Sequence, residues 1–216
     1  MPHAAKTWHD EMMAKIAVGA LKRNNFGASY APSVAEACKQ VLALIPENAS
    51  IGFGGNMTAG EIGLLDLLKA GPYTLINPPW TEAALPGPER IALRKQSVSA
   101  DVFISGTNAV TLDGKLVNID ATGNRLAGMT FGPKKCIIIV GVNKVSRTLD
   151  DALTRAKHVA APINAKRLNR DTPCVGSGEC ADCDSPDRIC NITQIIHKRP
   201  GAIDLHVVIV GEELGF

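Results

Sequence analysis

The 216-residue sequence lacks an excess of charge of either sign. It holds 23 lysines and arginines against 21 aspartates and glutamates, which gives a formal net charge of +2. Proteins that grip nucleic acids carry clustered basic residues, because each phosphate contact requires a positively charged partner. The near balance therefore argues against a nucleic-acid-binding protein.

Long apolar runs are also missing. The longest extends from Cys136 to Val142, whereas a membrane-spanning helix requires about 20 apolar residues. Near the N-terminus, His9, Asp10 and Lys15 interrupt the region in which a signal peptide needs a continuous apolar segment. We therefore expect a cytoplasmic protein with no membrane span.

Short strand patterns alternate with helical ones after an N-terminal helical part. Strands separated by helices of this length are typical of a parallel sheet in an α/β protein. We expect N-terminal helices over residues 1–46 that pack on one α/β domain over residues 47–216. The expected strands are 50–53, 73–77, 102–105, 136–142 and 205–210, and the helices that follow residue 46 are about 58–70, 82–95, 124–129 and 149–160.

A glycine-rich turn lies between the first of these strands and the next helix. Gly54 and Gly55 let the backbone approach a ligand, and Asn56 and Thr58 add polar groups. The segment matches neither a P-loop nor the dinucleotide-binding fingerprint, so it predicts a small carboxylate or phosphorylated ligand without specifying one. The alternative is that the glycines only make a tight turn.

Glu61 has two interpretations. It is a candidate catalytic carboxylate at the carboxyl edge of the sheet. The spacing Thr58-x-x-Glu61 also matches a capping box, in which Glu61 bonds back to the Thr58 backbone. As the single role of Glu61, capping is favoured.

Polar residues gather around a predicted β-hairpin over residues 109–119, whose turn is an Asp-Gly pair. Asn108 and Asn118 should lie together at its open end, followed at once by Asp120, Asn124 and Arg125. Asp120 and Arg125 are candidate catalytic residues, and the three asparagines are candidate ligand-binding residues. The alternative for each residue alone is a turn or helix-capping role.

Four cysteines lie within residues 170–192, a segment rich in glycine, proline, serine and aspartate. Cys174, Cys180, Cys183 and Cys190 are spaced C-x5-C-x2-C-x6-C. In a reducing compartment such thiols are metal ligands or redox groups more often than disulfides. Zinc sites commonly pair two C-x2-C turns and only one occurs here, whereas iron–sulfur clusters accept uneven spacing. We expect an iron–sulfur cluster of the four-iron type, with zinc as the alternative.

Three stretches resemble the lactate-utilisation (LUD-domain) family. They are GFGGNMTAGEIGLL at 52–65, DVFISGTNAVTLDGKLVNIDATGNR at 101–125 and GPKKCIIIVGVNK at 132–144, and the match runs in order from about residue 25 onward. The resemblance implies a fold like that of the ribose-5-phosphate isomerase and CoA-transferase superfamily, with flanking helices and ligands near the glycine turn. The cysteine-rich C-terminal segment, which we expect to be an excursion from that fold, resembles a subset of the family.

The same resemblance implies a part in the oxidation of lactate to pyruvate, alongside iron–sulfur redox partner proteins. We expect a protein that acts on lactate or a related small organic acid and carries a four-cysteine metal or iron–sulfur site. The alternatives are a non-redox isomerase or CoA/acyl-transferase-like enzyme, and a regulatory protein that senses a small ligand. The sequence leaves open whether the chain is itself an enzyme or an accessory subunit, and whether it forms a homo-oligomer.

Overall fold

Six parallel strands form the central sheet of the protein, for which a computed structural model describes residues 4–81 and 85–216. Their order across the sheet is β1-β10-β7-β4-β2-β3. The middle strands are covered on both faces, which explains why they are almost continuously apolar. The strands are β1 (Gly27–Ala31), β2 (Ser50–Phe53), β3 (Thr74–Ile76), β4 (Val102–Ser105), β7 (Lys135–Gly141) and β10 (Asp204–Val210).

Helices cover the two faces of this sheet. They are α1 (Ala4–Arg23), α2 (Val34–Leu44), α3 (Met57–Glu61), α4 (Leu64–Ala70), α5 (Gly87–Val98) and α6 (Asn124–Thr130). Of the later helices, α7 (Leu149–Arg155) packs on a second, smaller sheet, and α8 (Ala161–Arg167) and α9 (Pro173–Ser177) pack on each other. Alternate residues of β7 point to opposite faces, as a strand requires. Ile138 packs in the cluster that includes α1, and Ile137 packs in the cluster that includes α2 and α4.

A second, smaller sheet lies beside the first, with strand order β8-β5-β6-β9. Its centre is the predicted hairpin, whose antiparallel strands meet at a turn in which Gly114 has a φ of +81°. The fourth strand follows the cysteine-rich segment directly and pairs along the whole length of β6. These strands are β5 (Ala109–Thr111), β6 (Leu116–Asp120), β8 (Val145–Ser146) and β9 (Ile192–Ile196).

The α/β prediction is confirmed, and all five expected strands are present in the central sheet. Three strands were not predicted: β1, which lies at the edge of the central sheet within a part expected to be helical, the short strand β8, and β9. The expected helix over 58–70 is instead two helices, because Gly63 adopts a left-handed conformation with φ +72° between α3 and α4. Residues 82–84, the first part of the helix expected over 82–95, lie outside the described residues, and α5 begins at Gly87.

A membrane-spanning helix needs about 20 apolar residues. Among residues 4–81 and 85–216, none is long and apolar enough to cross a membrane.

We expect the Ile138→Ala substitution to lower the free energy of unfolding by about 2–5 kcal/mol, because it leaves a cavity in a fully buried part of the central sheet. Urea unfolding measures this change. The matched control is Ile163→Ala on α8, where the side chain is 43% exposed and a change within about 1 kcal/mol is expected. Equal losses in the two variants would contradict this packing.

Candidate functional site

The candidate site lies where the chain reverses its direction across the central sheet. From β2 the chain proceeds outward to β3, whereas from β4 it proceeds in the opposite direction to β7. In open α/β sheets the crevice at the carboxyl ends of two such strands is the usual ligand position. The glycine turn follows β2 and the Gly106 segment follows β4, so both line this crevice.

The two glycines of the turn have different physical explanations. A Cβ on Gly54 would stand 2.9 Å from Ser105 Oγ and 3.0 Å from Arg125 Cγ, so close packing requires glycine there. Gly55 is exposed, and a Cβ at that position would meet nothing within 4 Å. Close packing therefore explains why residue 54 is glycine. It does not explain Gly55, whose exposed backbone is open to a ligand.

Asn56, not Thr58, caps the helix that follows the turn. Its Oδ1 accepts a hydrogen bond from the Ala59 backbone N–H at 3.2 Å. The capping-box interpretation of Thr58 and Glu61 is therefore wrong, because Glu61 is the last residue of this short helix. The carboxylate of Glu61 instead accepts a hydrogen bond from the backbone N–H of Gly215 at 2.6 Å.

The side-chain nitrogen of Asn56 is buried and has no hydrogen-bond partner among the described residues. The Oδ1 atom of the same side chain would stand 3.1 Å from a Cβ on Gly106, so this amide lies between the ends of β2 and β4. An orphaned buried donor is costly unless something accepts from it. It marks the crevice as a place suited to a ligand acceptor atom.

Lys144 is a residue of this region that the sequence analysis missed. It ends a short 3₁₀ turn after β7, is only 5% exposed, and approaches Thr58 Oγ1 at 3.4 Å. Burial, with Arg155 adding to the effect, lowers the pKa of its amine to about 8. A lysine two residues after the longest apolar run, Cys136 to Val142, was the available sequence signal.

Arg125 is buried at the centre of the polar cluster and uses all five of its N–H donors within the protein. Its Nε bonds Asp120 at 3.2 Å, and its two terminal nitrogens bond the Oδ1 atoms of Asn118 at 2.8 Å and of Asn108 at 3.0 Å. The other two acceptors are the backbone oxygens of Gly106 and Ile119. The expected meeting of Asn108 and Asn118 is thus confirmed.

Asp120 supports the same cluster by forming a turn. Its Oδ1 accepts from the backbone N–H groups of Thr122 at 3.0 Å and Gly123 at 2.7 Å. Gly123, with φ +88°, then begins α6, and Asn124 and Arg125 are the first residues of that helix. Burial lowers the pKa of Arg125, while the charge of Asp120 opposes that shift. A ligand that used Arg125 or Asp120 would have to replace one of these bonds.

The four cysteines of the C-terminal segment surround a common space. Cys174, Cys180, Cys183 and Cys190 all line one cavity of about 20 Å³, and all four are free thiols. Among residues 4–81 and 85–216, no three His, Cys, Asp or Glu side chains converge as the ligands of a single metal ion would. The thiols therefore lie around a shared cavity without meeting at one point.

Arg188 links two parts of the cysteine segment by hydrogen bonds. Its Nη1 donates to the backbone oxygen of Cys183 at 2.6 Å, and its Nε donates to that of Cys190 at 3.3 Å. Burial raises the pKa of the Cys190 thiol, whereas the charge of Arg188 opposes that change. By contrast, Cys38 and Cys136 are buried in the two main cores, and burial raises the pKa of both thiols.

The cysteine segment adjoins the polar cluster. Asn191, the residue after Cys190, donates to the backbone oxygen of Ala121 at 3.3 Å. Ile192 then pairs with Asp120 across β9 and β6. The fourth cysteine is thus two residues from the strand partner of Asp120.

The family was identified by comparison with protein-family models, and the match to the LUD domain covers residues 14–210. The chain belongs to the LUD domain family. A crystal structure of a DUF162 family protein from Deinococcus radiodurans is similar to this LUD-domain chain, with a TM-score of 0.50 and 12% identity. The alignment covers 93% of this chain and 98% of that one, which shows a shared fold. No curated protein matches the chain.

We expect Arg125→Lys to lower the free energy of unfolding by about 2–4 kcal/mol. A lysine has three donors for the five acceptors that Arg125 satisfies, so at least two of those acceptors lose a hydrogen bond. Urea denaturation measures the loss. The control is Arg170→Lys, where the guanidinium is 3.9 Å from Asp187 and partly exposed, and where almost no change is expected. An Arg125→Lys variant as stable as this control would disprove the network.

Proposed function

We propose that this LUD-domain protein takes part in the oxidation of lactate or a related small organic acid, and that its four-cysteine site holds an iron–sulfur cluster. One observation carries the proposal. Cys174, Cys180, Cys183 and Cys190 line one cavity, and the segment that bears them continues into a strand paired with Asp120. This pairing supports the proposal, because it connects the cysteine segment directly to the polar cluster around Arg125.

The chemistry of the donor set fits an iron–sulfur cluster better than zinc. A single zinc ion needs four ligands at about 2.0–2.3 Å, so its sulfurs must converge on one point. In a cluster the four thiolates bind different irons at the corners of a larger cage. The uneven spacing C-x5-C-x2-C-x6-C, with a single C-x2-C turn, supports the second arrangement, and all four thiols line one cavity.

The protein's own residues contribute the surroundings of this site. Ala161, Pro162 and Ala165 of α8 provide an apolar wall of the cavity, and Lys157 and Arg188 place positive charge beside the thiols. Positive charge favours the thiolate form that metals bind. A bound iron–sulfur cluster would supply one-electron transfer, with a potential set by net charge, hydrogen bonds and exposure.

The ligand of the proposed function is a small carboxylate that binds near the glycine turn. Gly55, Asn56 and Thr58 lie at that turn, and Asn108, Asn118, Asp120, Asn124 and Arg125 form the neighbouring polar cluster. Glu61 is retained as a candidate catalytic carboxylate, together with Asp120 and Arg125. Iron–sulfur redox proteins are the proposed partners, and the cytoplasm is the proposed location.

The finer architecture is also a proposal. We infer that the sheet corresponds to that of the ribose-5-phosphate isomerase and CoA-transferase superfamily. Residues 1–46 would pack on one domain over residues 47–216, from which residues 170–192 form an excursion. The complete pairing of β9 with β6 supports this view, because it returns the chain to the domain after the cysteines.

The cofactor is tested by purifying the protein without oxygen and measuring iron, acid-labile sulfide, zinc and visible absorption. We expect iron and sulfide in comparable amounts. The Cys180→Ser variant should lose both, together with the visible colour, because the cluster needs four thiolates.

The matched control for this experiment is Cys38→Ala, which removes a buried thiol on α2 that donates to the Ile62 backbone oxygen. This variant should keep its iron and sulfide. Stoichiometric zinc without sulfide in the wild-type protein would contradict the proposal, as would an unchanged iron content in Cys180→Ser.

A further inference from the structure

The buried amine of Lys144 has too few partners for a cation in its position. Its one hydrogen bond among the described residues is a long one, 3.4 Å to Thr58 Oγ1. No carboxylate of the described residues lies within ion-pair distance of its nitrogen. A charged amine is strongly destabilised by burial unless it is paired. Folding alone therefore gives no reason for lysine at this position.

The position of Lys144 in the fold suggests why a lysine is present there. It follows β7, next to β4 in the sheet, so it lies at the same carboxyl edge as the glycine turn. Its contact with Thr58 places it against the helix that Asn56 caps. Two buried donors that are poorly paired therefore lie around this short helix, namely the amine of Lys144 and the amide nitrogen of Asn56.

The charges around Lys144 are mainly positive. Arg155 on α7 and Arg125 on α6 act against its protonation, and Glu61 on α3 acts in favour of it. Both arginines already bond acceptors within the protein, since Arg155 donates to the backbone oxygens of Asn108 and Asn143. Of these three cations, Lys144 is therefore the one with unused N–H donors for an anion that enters the crevice.

We propose that Lys144, together with Asn56 and Thr58, binds the carboxylate of a small organic acid. The inference rests on the proposed function for the identity of that acid, and not on the cysteine site. Because Lys144 is 5% exposed, a ligand must displace a neighbouring group to reach it. Gly215 lies against the amine, since a Cβ there would stand 2.8 Å from Nζ.

The ionisation of Lys144 gives this site a defined pH dependence. Its pKa in the folded protein is about 8, below the usual 10.5, so the unfolded chain binds more protons between these values. Below about pH 8, the charged amine of Lys144 therefore lowers the free energy of unfolding of the free protein. This destabilisation disappears as the pH rises towards 10.5. A carboxylate stabilises the charged amine, so it should bind more weakly as the pH rises above 8.

The experiment compares binding of pyruvate and L-lactate to the wild-type protein and to the Lys144→Met variant, by calorimetry and thermal unfolding at pH 7. Hydroxyacetone, a neutral analogue of pyruvate, and inorganic phosphate are the comparison probes. We expect Lys144→Met to weaken binding of the acids by about tenfold or more and to raise the melting temperature of the free protein. A lysine with a purely structural role would not give this pair of results.

The control variant is Lys39→Met, which removes an exposed lysine on α2 and should leave both readouts unchanged. Equal affinity of wild type and Lys144→Met for the acids would overturn the inference. Protection by hydroxyacetone or phosphate but not by the acids would overturn it as well. Neither result depends on iron, so a failure here is distinguishable from a failure of the cluster measurement.

A measurement on the wild-type protein covers the case in which Lys144→Met does not fold. NMR of the lysine side chains follows the titration of the buried amine directly. We expect the pKa of one lysine to lie near 8 and to rise when pyruvate is added. An unchanged titration in saturating pyruvate would overturn the inference.

Discussion

The buried guanidinium of Arg125 is the interaction on which the candidate site depends. It joins three chain segments, namely the end of β4 at Gly106, the open end of the β5–β6 hairpin at Asn108 and Asn118, and the turn at Asp120. A buried cation is tolerated only when its charge is compensated and its donors are used. Five hydrogen bonds, one of them to the carboxylate of Asp120, meet this requirement and hold the small sheet against the large one.

Two buried cations at the carboxyl edge of the sheet differ in how many of their N–H donors are used within the protein. Arg125 has no donor left for a ligand, whereas the amine of Lys144 has a single long hydrogen bond to a described residue. A folded protein retains such an underpaired buried charge only at a cost in stability. That cost is explained if the charge serves binding, which is the role that we propose for Lys144. Arg125 can reach a ligand only by giving up one of its present hydrogen bonds.

Much of the fold was predictable from the sequence, because apolar strands bounded by glycines and helical patterns are local signals. The hairpin and the meeting of Asn108 with Asn118 followed from its Asp-Gly turn. Strand β9 was not predictable, since its apolar residues gain a partner only when the chain returns to β6. The five hydrogen bonds of Arg125 and the burial of Lys144 could not be predicted for the same reason. A side chain's donors and burial depend on segments far apart in the sequence.

We propose that a four-cysteine redox site and a carboxylate site adjoin each other in this protein. Electron paramagnetic resonance tests it most directly, on protein purified without oxygen, reduced, and measured with and without pyruvate. The account predicts an iron–sulfur signal whose line shape changes when pyruvate binds, because the strand after Cys190 pairs with Asp120. A protein without such a signal, or a signal that pyruvate at saturation leaves unchanged, would contradict it.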